Sequence, residues 1–170
     1  QTDPRSAFAE AYRSVRTALQ FSTPEGAPRV LVVTSASIGE GKSTTSLSLA
    51  IHFAQTGGRV LLIDADLRKP SLHKSLKMDN GHGLTNYLAG EAAPLEITKP
   101  TFIPHLFFIP TGPLPPNPAD LLASAKMVSL LSLATEKFQY VILDGPPVLG
   151  LSDAPILANM ADGTILVVEA

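Results

Sequence analysis

Three runs in this chain show almost no alternation: RVLVVTS at 29–35, RVLLIDAD at 59–66 and YVILDGPP at 140–147. Each is a nearly unbroken aliphatic stretch that ends in polar or Gly/Pro residues. A strand with one wet face alternates; a strand apolar throughout must be covered on both faces, as in a parallel sheet flanked by helices. HLFFIP (105–110) and GTILVVEA (163–170) are a fourth and fifth candidate strand. Helical patterns lie between them. GKSTTSLSLAIHFAQTGG places Leu47, Ala50, Ile51 and Ala54 on one stripe and stops at Gly57 and Gly58, a good C-terminal signal. The segment 123–138 spaces Met127, Leu130, Leu131 and Ala134 in the same way, and FAEAYRSVRTALQF (8–21) reads as a further helix. Alternating strands and helices predict an α/β fold of three layers, α/β/α, around a mostly parallel central sheet. In such folds ligands sit at the carboxyl ends of the strands, where all three runs place their polar residues.

Composition narrows the function classes. A chain of 170 residues that is 45% hydrophobic and 16% charged is expected to fold as a single domain with a real core. The net charge of −2 gives no overall attraction to nucleic acid. There are no cysteines, so a disulfide framework, a thiolate zinc site and a Cys nucleophile are all excluded. No apolar run approaches the ~20 residues needed to span a bilayer, and the first residues lack the apolar segment of a signal peptide. The chain is expected to be soluble, with any membrane segment of its parent outside these residues. Prolines cluster over 99–122, a linker-like composition that nonetheless contains HLFFI.

Between the first run and the first helix lies A-S-I-G-E-G-K-S at 36–43, the P-loop pattern with alanine at its first position. Gly39 and Gly41 let successive backbone N–H groups turn inward around phosphate oxygens. The following helix offers free N–H groups and its positive dipole end to the anion. Lys42 reaches the β- and γ-phosphates as a point charge, and the Ser43 hydroxyl is placed to ligate Mg²⁺. The alternative is a strand–turn–helix junction with incidental Lys and Ser; the preceding strand and following amphipathic helix argue against it.

Carboxylates surround this loop in the linear pattern. Asp64 and Asp66 close the second run, and Asp144 closes the third. Strand alternation would point Asp64 and Asp66 to the same side, toward the nucleotide. Holding the Mg²⁺ shell needs one such Asp. The surplus suggests a second task, such as accepting a proton from an attacking hydroxyl or water; a lone strand-end Asp is better explained as a cap or turn residue, but three beside a phosphate loop are not. Arg68 is placed either to pair with Asp66 or to reach a phosphate. Asp144-Gly145-Pro146-Pro147 joins a carboxylate to a rigid exit, consistent with a segment that senses the γ-phosphate.

The set A-S-x-x-G-E-G-K-S-T, L-L-I-D-A-D-L-R-K-P and V-I-L-D-G-P-P resembles the Walker A, A′ and B motifs of the bacterial tyrosine kinases (BY-kinases). These are cytoplasmic autokinases of capsule and exopolysaccharide export systems. EAYRSVRT matches the family's E-x-x-R-x-x-R arrangement at Glu10, Arg13 and Arg16, and TGPLPPNPADLLAS resembles its G-x-x-P-P-N-P-x-x-L-L stretch. The resemblance runs from about Asp3 to the last residue. It implies an ATP/ADP and Mg²⁺ site in which Ser37, Gly39, Glu40, Gly41, Lys42, Ser43, Thr44 and Arg68 bind the nucleotide. It implies Asp64 as base or polariser of the tyrosine hydroxyl, with Ser43, Asp66 and Asp144 organising Mg²⁺. It further implies an interface helix at about 4–21, with Glu10, Arg13 and Arg16 contacting a neighbouring subunit of a ring, and a nucleotide-binding core at about 29–170. The implied partners are a membrane-anchored polysaccharide co-polymerase region or adaptor and a phosphotyrosine phosphatase, at the inner face of the plasma membrane, with no nucleic acid.

Three departures stand out. Ile38 replaces a frequent proline, and Gly145 replaces the commoner Ser or Thr after the Walker B Asp. The chain ends at VVEA, without the family's C-terminal tyrosine cluster, and holds only Tyr12, Tyr87 and Tyr140. None of these suits a tail acceptor: Tyr140 begins a predicted buried strand, and Tyr12 lies in the interface motif. Two other readings share the fold. A ParA/MinD-like positioning ATPase would carry a second loop lysine at position 37, where this chain has Ser37. A nucleotide-gated, non-catalytic scaffold of the polysaccharide machinery is the other.

Overall fold

The computed structural model describes residues 29–36, 41–148 and 152–167. Its elements run β1 (Val30–Ser35), α1 (Lys42–Gln55), β2 (Val60–Asp64), α2 (Leu72–Ser75), α3 (Leu84–Leu88), α4 (Pro94–Ile97) and β3 (Lys99–Pro100). There follow β4 (Leu106–Ile109), α5 (Pro118–Leu122), α6 (Ala125–Lys137), β5 (Tyr140–Asp144), α7 (Asp153–Met160) and β6 (Gly163–Val167). The strands form one sheet in the order β3-β4-β2-β5-β1-β6. The pairings β4–β2, β2–β5, β5–β1 and β1–β6 are parallel; only the short edge strand β3 is antiparallel. Pro100 is tolerated there because an edge strand need not donate on both sides. Among the described residues no helix is long and apolar enough to cross a membrane.

The two-faced burial of the sheet explains the unalternating runs. On one face Val30, Val32, Leu61, Ile63, Val141 and Leu143 pack with Met127, Leu130, Leu131 and Ala134 of α6 and Leu157 of α7. On the other, Leu31, Val33, Leu62 and Ile142 pack with Leu49, Ala50 and Phe53 of α1 and with Leu72. Each of the larger side chains among these, fully buried, contributes roughly 1.5–3 kcal/mol. The three-layer expectation is therefore met, and the proline cluster is folded: it carries β3, β4 and α5 rather than a linker.

The inward face of α1 differs from the apolar stripe. Ser46, Leu49, Ala50, Phe53 and Ala54 are buried, while Leu47 and Ile51 are only partly covered. Lys42 and Ser46, one turn apart, both turn toward Asp144 at the end of β5, and that demand rotates the helix. The candidate interface helix with Glu10, Arg13 and Arg16, the loop residues Ser37, Gly39 and Glu40, and Tyr12 lie outside the described residues. Tyr87 and Tyr140 are structural. Tyr87 is buried and donates its hydroxyl to the Lys126 carbonyl at 3.1 Å, and Tyr140 stacks on Phe53 at 4.2 Å.

Candidate functional site

The parallel register brings the acidic strand ends together. Asp64 of β2 is the direct partner of Asp144 on β5, and β5 in turn pairs with β1, from which the phosphate loop leaves. At the far end of that loop Gly41 adopts φ +74°, a left-handed conformation that favours glycine, and Lys42 opens α1. The exit of β5 is held rigidly against β1. Thr34 donates to the Pro146 carbonyl at 2.6 Å, and the N–H groups of Gly145 and Val148 donate to Val33 and Ser35 at 2.9 and 2.8 Å. A Cβ on Gly145 would stand 3.2 Å from Leu157 Cδ1. A Ser or Thr at 145, which the resemblance would favour, would therefore need the end of the Leu157 side chain to shift by a few tenths of an ångström.

Asp144 is the hub. Lys42 Nζ donates to its Oδ1 at 2.8 Å, Ser46 Oγ lies 2.8 Å from the same oxygen, and Ser43 Oγ donates to Oδ2 at 3.0 Å. Asp66 Oδ2 faces Lys42 Nζ at 3.8 Å. Asp64 is tied to the backbone: Oδ1 accepts from Asp66 N–H at 3.2 Å, and Oδ2 accepts from Ser71 and Leu72 N–H at 3.2 and 3.3 Å. Asp64 and Asp144 have no exposed surface. Burial, reinforced by the Asp144 charge, pushes the Asp64 carboxyl up from 3.8 to about 7. Burial also raises Asp144, against the opposing pull of Lys42.

Two sequence expectations change in detail. β2 ends at Asp64, so strand alternation does not place Asp66. Asp66 sits in the following turn, fixed by Arg68 and Lys69 N–H groups donating to its Oδ1 at 3.3 and 3.1 Å. The Arg68 guanidinium pairs with neither Asp66 nor open space for a phosphate. It forks onto Asp153 at the start of α7, with bonds of 2.9 and 3.1 Å, and that bond holds the Arg68 pKa above its ordinary value. Thr44 is exposed on the first turn of α1. Ser46, Ser71 and Asp153 were not singled out from sequence. Ser46 had a usable signal, since it lies four residues after Lys42 on the same helical face.

The donor chemistry fits Mg²⁺ and a nucleotide. Asp66 and Asp144 lie 3.8 and 2.8 Å from the single buried ammonium of Lys42, with Asp64 the strand partner of Asp144, so the acids outnumber the base and a divalent cation would favour their ionised forms. Among the described residues no three His, Asp or Glu side chains form a group able to hold a metal alone. Mg²⁺ rarely uses such cages; one or two protein oxygens, phosphates and water are its usual shell. Ser43, Asp66 and Asp144 are the residues that would hold it.

Comparison with known proteins agrees with this geometry. A family described as an AAA domain matches residues 28–170. Over 169 residues the chain is 43% identical to the tyrosine-protein kinase YwqD of Bacillus subtilis (strain 168), spanning 99% of this chain and 71% of that protein. The kinase domain of the Escherichia coli tyrosine kinase ETK superposes with a TM-score of 0.89 at 36% identity, over 94% of this chain and 62% of that one. The septum site-determining protein MinD of Pyrococcus horikoshii OT3, solved with Mg-ADP, gives a TM-score of 0.70 at 24% identity, over 82% of this chain and 57% of that one. That last likeness speaks to the fold alone.

Proposed function

The chain belongs to the bacterial tyrosine-kinase family, and we propose that it transfers the γ-phosphoryl group of ATP to tyrosine hydroxyls, mainly between neighbouring subunits. The observation that carries this reading is the pairing of two buried carboxylates, Asp64 and Asp144, beside Lys42. A phosphate grip needs Lys42, Ser43 and one acid; Asp64 is a further acid whose proton affinity lies near neutrality. Ser37, where a positioning ATPase would carry lysine, favours the kinase as well.

In this mechanism the tyrosine oxygen forms a bond to the γ-phosphorus as the bond to the ADP oxygen breaks. Asp64 takes the tyrosine proton, directly or through one water; its Oδ1 accepts a single backbone bond and keeps capacity for another. Lys42 leaves Asp144 for the phosphate oxygens and stabilises the charge that develops on them. When bound, Mg²⁺ would neutralise charge on the β- and γ-phosphates. Glu40, Gly39, Gly41, Ser37 and Thr44 would complete the phosphate cradle. Positioning and charge stabilisation supply most of the rate.

Residues 29–170 act as the nucleotide-binding core, and the segment at about 4–21 as an interface helix that docks Glu10, Arg13 and Arg16 on the next subunit of a ring. The physiological setting is control of capsule or exopolysaccharide polymerisation at the inner face of the plasma membrane, with a membrane-anchored co-polymerase region as partner and a phosphatase to reset the tyrosines. A mixing experiment tests the subunit-to-subunit step. Full-length protein inactivated by Lys42→Met should become labelled when mixed with active protein that lacks acceptor tyrosines. Changing Arg13 and Arg16 to Ala should abolish that labelling and give smaller particles in sedimentation. Labelling and assembly that survive both changes would remove the interface assignment; no labelling in the mixture would remove the subunit-to-subunit step.

A further inference from the structure

Ser71 brings a hydroxyl into the site that the chemistry above leaves unused. It immediately precedes α2, is half-buried, and places Oγ 2.8 Å from Ser43 Oγ. Counting hydrogens fixes the direction of this bond. A serine hydroxyl has one proton and two lone pairs. The Ser43 proton is directed at Asp144 Oδ2, 3.0 Å away. Ser71 must therefore donate to Ser43, and the chain of bonds runs Ser71 to Ser43 to Asp144. The remaining lone pair of Ser43 faces Lys42 Nζ at 3.5 Å, and it is released when Lys42 moves to the phosphate oxygens. The same residue reaches the second functional carboxylate through its backbone, since Ser71 N–H donates to Asp64 Oδ2 at 3.2 Å.

We propose that Ser71 is a positioning residue that aims the lone pair Lys42 releases on Ser43 at the divalent cation, so that cation binding depends on a hydroxyl outside the phosphate loop. The proposal rests on the ATP–Mg²⁺ reading of the site. Outer partners of a ligand commonly set metal affinity by orienting it, and their loss costs roughly 10–100-fold. A hydroxyl acting on a single Ser ligand belongs at the lower end of that range.

The test uses full-length protein and a fluorescent ADP analogue, titrated with MgCl₂ and separately in EDTA. Ser71→Ala should raise the Mg²⁺ concentration for half-saturation by about 3–30-fold and leave nucleotide affinity in EDTA unchanged. Ser71→Thr, which restores the hydroxyl, should return the parental Mg²⁺ dependence. The alanine variant keeps the backbone bond to Asp64, so it isolates the hydroxyl, and its thermal unfolding curve should overlay that of the parent. An unchanged Mg²⁺ dependence in Ser71→Ala overturns the proposal, as does a threonine variant that fails to rescue or a loss of nucleotide affinity in EDTA. Parent protein that shows no Mg²⁺-dependent nucleotide binding would instead overturn the underlying reading of the site.

Discussion

Lys42→Met is expected to lower ATP-dependent tyrosine phosphorylation by at least about 10²–10³-fold, the loss typical of removing one preorganised transition-state donor. The thioether is similar in length to the lysine stem and fills the same buried space, but carries no charge for the γ-phosphate. The fold should survive, because Asp144 keeps its contacts with Ser43 and Ser46. Stability will nonetheless fall, since Lys42 is the cation 2.8 Å from a carboxylate with no exposed surface. The opposing pull of Lys42 on the raised Asp144 pKa disappears in the variant, so Asp144 binds its proton more readily. The stability loss should then be smaller at pH 6 than at pH 8, which urea melts at the two pH values will measure. Phosphorylation at the parental rate would remove Lys42 from the mechanism.

Asp64→Asn should have the second large effect, and its two readouts point in opposite directions. Loss of a proton acceptor typically costs about 10²–10⁴-fold in rate. Stability should move the other way at alkaline pH. The Asp64 carboxyl sits at about 7 in the folded protein against an ordinary 3.8, so between those values the native state holds a proton that the unfolded chain has released. Stability therefore falls as pH rises through that window and levels off above it, by up to an amount on the order of 4 kcal/mol. Asparagine carries no charge to bury. The variant should lose most of this pH dependence and, without nucleotide, match or exceed the parent's stability at pH 8, after about 1 kcal/mol for one weakened backbone hydrogen bond. A variant whose stability falls from pH 5 to pH 8 as steeply as the parent's would show that the burial argument for Asp64 is wrong, because only the part contributed by Asp144 should remain. A variant that keeps a tenth of the parental rate would show that Asp64 is not the base.

Much of this was legible because burial on two faces leaves a plain record. β1, β2 and β5 are buried along nearly their whole length, and their sequences are apolar throughout. Lys42, Ser43, Asp64 and Asp144 were readable because the phosphate loop fixes two of them and strand ends fix the others. The remaining features depend on distant pairing or on very short elements. Arg68 and Asp153 lie 85 residues apart, and nothing local in either segment announces the bond. The position of Asp66 depended on where β2 stops, and its capping by Arg68 and Lys69 N–H groups is turn geometry rather than periodicity. Helices α2 to α5 span four or five residues each, too few for a 3.6-residue pattern to register. Ser71 looks like an ordinary polar position until α2 is set beside the end of β2.

The most direct measurement of the central claim is the fate of the γ-phosphate. Full-length protein incubated with Mg²⁺ and γ-labelled ATP should accumulate label on tyrosine, as shown by phosphoamino-acid analysis. The Asp64→Asn and Lys42→Met proteins should accumulate essentially none over the same time. Label recovered only as inorganic phosphate in the parent protein would contradict the account, because the site would then hold and hydrolyse ATP without passing its phosphoryl group to tyrosine.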